Sequence, residues 1–186
     1  MSTTRRTTPA LDALVRLFYP SASQLGEFRE VESGELPPAE SRLLDHEEHM
    51  TVTVESFHQS AVDVKVLETQ ITRTHYARKI LLQRKTDGAV VQYGLVRLNF
   101  SFLPDEVREE IESQQTPLGR VLIEHDVLRE VMLLSLWEIE PGEELRSLLA
   151  LPPTVTHCYG RTAFIYCNGI PAVELLEVVT PVEAKG

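Results

Sequence analysis

Asn168-Gly169 stands between two apolar runs, Val155 to Cys167 and Ala172 to Val179. Asn-Gly is the pair a two-residue hairpin favours, because both central residues take positive φ. Two strands joined so tightly must run antiparallel. Their apolar positions then need a further layer to bury them. The spacing predicts a second hairpin, Tyr76 to Gln83 with Ala89 to Phe100, turned by Thr86-Asp87-Gly88. Period two also marks Val62, Val64 and Val66, and again Met50, Val52 and Val54 against Thr51, Thr53 and Glu55. Both stretches read as strands. Val127 to Ile139 is so apolar that helix and strand are not separated by period.

Helical signals lie between these strands. Leu11, Leu14, Val15 and Phe18 follow the i, i+3, i+4, i+7 spacing of one helix face, with Thr8 as N-cap, Pro9 at N1 and Pro20 as the stop. A short helix fits Ala39 to His46 after Pro37-Pro38. Pro104 opens another, with Asp105-Glu106 at its positive end. Thr116-Pro117 opens Leu118 to Glu124. Residues 21–38 read as a loop, 1–9 as a disordered tail, and 10–186 as one domain. The class is α+β, because strands and helices do not alternate as βαβ units.

The chain has 186 residues, 42% of them hydrophobic, and a formal net charge of −10. That length buries a core without disulfides or a structural metal. Nucleic-acid phosphates and anionic membranes both need clustered positive charge, so neither is an expected partner. No apolar run reaches the ~20 residues that span a bilayer. Arg5 and Arg6 precede no apolar signal-peptide core, since Asp12 and Arg16 interrupt Leu11 to Tyr19. The expected location is the cytoplasm. Cys158 and Cys167 make no disulfide framework and fit no compact zinc motif. His46 and His49, with Glu47 and Glu48 between them, read as a solvated helix end rather than metal ligands, and His157 beside Cys158 reads as a half-buried strand. Nucleotide-binding, serine-hydrolase and zinc-protease motifs are absent.

Charge in apolar rows is the sharper signal. Arg78 shares a strand face with Tyr76, Ile80 and Leu82. Arg97 shares one with Val91, Tyr93 and Leu95, and Glu177 one with Val173, Leu175 and Val179. Glu174 falls on the other face of that strand, so either carboxylate is a candidate for the inward one. A buried charge must be paired or must bind something. One reading is a sheet covered on both faces, with Arg–Glu bridges at its rim. The other is an enclosed site with two guanidinium groups and a carboxylate, suited to a small di-acid.

The segment Thr116-Pro117-Leu118-Gly119-Arg120, about forty residues after Ala77-Arg78-Lys79-Ile80-Leu81-Leu82, resembles the bacterial chorismate lyases. His49-Met50-Thr51 and the closing Ile170-Pro171 with Leu176-Glu177-Val178-Val179-Thr180-Pro181 occur in matching order, so the likeness spans roughly residues 40 to 181. Leu43 to Thr53 is most similar to a less-studied branch of that superfamily.

The resemblance implies an antiparallel sheet of about six strands with flanking helices and a closed cavity under two helix-turn flaps. It implies an enzyme, a carbon–oxygen lyase that releases pyruvate from chorismate and leaves 4-hydroxybenzoate, with neither cofactor nor metal. Arg78 would hold the ring carboxylate, assisted by the backbone N–H groups of Met50 and Leu118. Glu177 would sit where the C–O bond breaks. The lyases carry a second Arg directly after a Gly, whereas here Gly94 is followed by Leu95 and the Arg stands at Arg97. Positions 95 and 97 share a strand face, about 7 Å apart, so either Arg97 serves the same pocket as the candidate second catalytic group or the departure marks a differently shaped ligand. The same fold also occurs as the effector-binding domain of bacterial repressors. The alternative is therefore a non-catalytic module for a small aromatic carboxylate. The forty residues before the match leave no room for a DNA-binding domain, so a complete repressor is not expected.

Overall fold

In the computed structural model, residues 9–127 and 129–182 are described. The proposed N-cap Thr8 and nearly all of the expected tail lie outside them. Seven strands form one antiparallel sheet in the order β1-β5-β6-β7-β4-β3-β2. One meander is β2 (Val62–Ile71), β3 (His75–Arg84) and β4 (Val90–Asn99). The other is β5 (Arg129–Pro141), β6 (Cys158–Cys167) and β7 (Ile170–Val179). The meanders are fused where β4 pairs with β7, with Gly94 opposite Glu177. Strand β1 (Gly26–Val31) extends the sheet beyond β5. Asn168 and Gly169 both take positive φ, 53° and 76°, as the tight β6–β7 turn requires.

Both faces of the sheet are covered. Helices α1 (Pro9–Val15) and α6 (Glu143–Leu148) close one face over Leu81, Tyr93, Leu95, Trp137, Leu176 and Val178. Helices α2 (Pro38–Leu44), α3 (Met50–His58), α4 (Asp105–Ser113) and α5 (Leu118–Glu124) close the other. Central strands are therefore buried at nearly every position, as β3 is from Tyr76 to Leu82.

Two expectations are corrected. Met50 to Val54 is not a strand but the first part of α3, where Met50 and Val54 are buried and Val52 is 42% exposed. Positions i and i+4 satisfy both periods, and the intervening Val52 is what separates them. Residues 21–38 contain β1, whose Phe28 and Val31 are buried while Glu27, Arg29 and Glu30 face out. Its polar edge masks the alternation. The single antiparallel sheet with flanking helices is as expected, its seven strands matching the expected count of about six, and the segment after Val127 whose period left helix and strand open is β5. Helix α6 was not anticipated. Among the described residues, no helix is long and apolar enough to cross a membrane.

Candidate ligand-binding site

Register sets out the floor of the site on the face beneath α3 and α5. Ile80, Gly94, Glu177 and Arg161 form one lateral row across β3, β4, β7 and β6. Arg78, Val96, Leu175 and Ala163 form the row on one side of it. Leu82, Gln92 and Val179 form the row on the other. Gly94 leaves the middle row hollow, and a Cβ there would lie 3.2 Å from Ile80 Cγ1.

The roof is made by two helix N-termini, His49-Met50-Thr51 and Pro117-Leu118-Gly119. They meet closely, for a Cβ on Gly119 would lie 2.8 Å from Thr51 Oγ1. An Arg120–Glu55 ion pair ties α5 to α3, and Glu55 also accepts from the Val62 N–H at 3.1 Å. The enclosed volume is about 30 Å³. Pockets for organic ligands run to about 300–1,000 Å³, so a ligand of that size needs the cavity walls to move.

Arg161, which sequence reasoning missed, is fully buried. Its Nε donates to Glu177 Oε2 at 2.7 Å. Its Nη1 donates to the His46 carbonyl at 2.7 Å and its Nη2 to that of Glu48 at 3.0 Å. It thus bolts the segment leading into α3 to the sheet. The available signal was the one that marked Arg78, a charge in the apolar row Arg161, Ala163, Ile165. His46 donates from Nε2 to the Leu43 carbonyl at 2.8 Å, while its Nδ1 accepts from the Glu48 N–H at 3.1 Å. Burial first, then the Arg161 charge, pushes its pKa below the ordinary histidine range.

Arg78 is also fully buried, yet none of its three guanidinium nitrogens has a hydrogen-bond partner. Burial lowers its pKa, opposed by Tyr76. The Tyr76 hydroxyl is near enough to favour the charge but makes no hydrogen bond of normal geometry with it. An Arg remains charged regardless. Arg78 stands beside the cavity, its row partners Val96 and Leu175 in the wall. Met50, Leu118 and Glu177 line the cavity directly.

Arg97 is not brought to this site. It pairs in register with Ala77 and Glu174, on the sheet face opposite Arg78 and Glu177, and is ion-paired to Glu174. Glu177 is the ion-pair partner of Arg161 rather than a lone carboxyl. Among the described residues, no cluster of three or more His, Cys, Asp or Glu is placed to hold a metal. Cys158 is buried in β6, and burial pushes its thiol up to about 12.

No protein-family model matches the chain, and no curated protein matches it. Solved structures do. The chain is similar to the effector domain of PhnF from Mycobacterium smegmatis, with 10% identity and a TM-score of 0.53 over 71% of this chain and 88% of that one. It is similar to PhnF from the same organism, with 11% identity and a TM-score of 0.51 over 70% of this chain and 63% of that one. A GntR-family transcriptional regulator from Bacillus cereus aligns with 10% identity and a TM-score of 0.45 over 67% and 95%. The fold is thus the chorismate lyase-like one, as in the effector domain of PhnF. The expectation of a lyase is corrected. The chain shares its fold with the effector domain of PhnF, and the two groups assigned to catalysis do not converge, Arg97 lying on the far face of the sheet and Glu177 being paired with Arg161.

Proposed function

We propose that the chain is a non-catalytic binding module for a small organic carboxylate, with Arg78 as the anchor of the anion. The observation that carries this reading is Arg78 itself, fully buried with three unpartnered nitrogens among the described residues. An unpaired buried charge costs several kcal/mol. A carboxylate matches the planar donor fork and offsets that cost. The neighbouring wall residues Val96 and Leu175 suit an apolar ligand body, and the N–H groups of Met50 and Leu118 at the roof are further donors by position. The fold shared with an effector domain supports the reading.

Calorimetry with 4-hydroxybenzoate and with chorismate tests it. The wild type binds at least one of them, and Arg78→Ala loses about 2–5 kcal/mol of affinity. Arg78→Lys recovers only part, because an ammonium does not reproduce the fork. Pyruvate measured in the chorismate mixture stays at the protein-free level. Undiminished affinity in Arg78→Ala places the anchor elsewhere.

A further inference from the structure

Gln92 is the second polar group left unanswered on this sheet face. It is 3% exposed, it lines the cavity, and its carboxamide Oε1 is buried with no hydrogen-bond partner. Its cross-strand neighbours are Leu82 and Val179, both buried and apolar. A leucine would suit that environment, whereas a buried carbonyl without a donor is destabilising. Gln92 lies four residues before Val96 on β4, and Val96 is the register partner of Arg78. The two unanswered groups therefore flank the Gly94 hollow, about 13 Å apart along the strand between these backbone positions. One is a donor-only cation and the other an acceptor. Between them the wall is apolar at Ile80, Val96 and Leu175. Glu177, in the middle row, also lines the cavity and is the ion-pair partner of Arg161.

We propose that Gln92 sets the ligand specificity of the cavity, its Oε1 accepting from a hydroxyl or N–H at the end of the ligand away from the carboxylate. The ligand class is then a hydroxy- or amino-substituted carboxylic acid with an apolar middle. This rests on the reading of Arg78 as the anion anchor. An alkyl-substituted acid buries the acceptor permanently without a donor and is disfavoured.

The test is calorimetry of 4-hydroxybenzoate and 4-methylbenzoate on wild type, Gln92→Leu and Arg78→Ala. The wild type binds the hydroxy acid about tenfold or more tightly than the methyl acid. Gln92→Leu binds the two within about twofold of each other, or prefers the methyl acid. Arg78→Ala weakens both. A preference that persists in Gln92→Leu, or is absent from a wild type that still depends on Arg78, overturns the role of Gln92 alone. Binding indifferent to Arg78→Ala overturns the anchor, and no binding of either acid by the wild type overturns both. Thermal unfolding without ligand checks the variant's fold and the premise together. Gln92→Leu melts above the wild type, because an unpaired buried carbonyl has been removed; a lower melting temperature counts against the proposal.

Discussion

A guanidinium with no exposed surface has its donors beyond the reach of bulk water, and the two such groups among the described residues of this sheet differ in what answers them. Arg161 gives its donors to a carboxylate and to the carbonyls of the segment entering α3. Arg78 gives none. Removing Arg161 with Glu177 in place strands a buried carboxylate, so Arg161→Met destabilises by about 3–5 kcal/mol in urea unfolding. Arg161→Met with Glu177→Gln recovers part of this, and the remainder measures the carbonyls left without donors. A double variant no more stable than the single would show that the carboxylate is not the source of the cost. His46 adds a pH dependence. Its folded pKa lies below its unfolded value, about 6.5, so the unfolded chain takes up the proton first as pH falls. The stability it contributes is complete above that pH and is lost progressively below it, down to the folded pKa. His58 is shifted in the same direction, by burial and then Arg84. Urea midpoints at pH 7.5, 6.5 and 5.5 therefore decline in the wild type and decline less steeply in His46→Gln. Equal slopes would remove His46 as a source of the effect.

At the scale of elements, α3 and α5 have 9 and 7 residues, too few to be stable as isolated helices. Packing holds them, and Gly119 is the residue that allows it. Thr51 is buried where a methyl on Gly119 would enter, so it has no open route of retreat. Gly119→Ala is expected to cost about 1–3 kcal/mol by overpacking, measured by urea unfolding. Thr51→Ala introduced with it restores most of the loss, because it removes the atom that is struck. Full stability of Gly119→Ala would mean that the helix ends do not close on each other as described. The same short helix explains a misread element. Met50, Val52 and Val54 have the spacing of a strand, and only the packing of Met50 and Val54 inward, with Val52 left outside, selects the helix.

For the whole molecule, legibility follows from burial. The hairpins were readable because Asn168-Gly169 and Thr86-Asp87-Gly88 act locally, through backbone conformations that few residues adopt. Arg78 and Glu177 were readable because charge in an apolar row is conspicuous whatever the fold. Nothing local separated Arg78 from Arg97. With helices on both faces of the sheet, apolar residues stand on both sides of β3 and β4, and each Arg has an apolar row of its own. Which row faces the cavity depends on register, and a shift of one residue reverses every side chain. That register is set by the β3–β4 turn together with the irregularity between Leu82 and Gln83. Arg161 and Gln92 gained their meaning the same way, when β6 and β4 were brought to opposite sides of β7 and their side chains to the cavity face. Chain chemistry chose the hairpins, their turns and the buried charges. Long-range pairing chose the face each charge occupies, because alternation specifies sides only relative to a neighbouring strand.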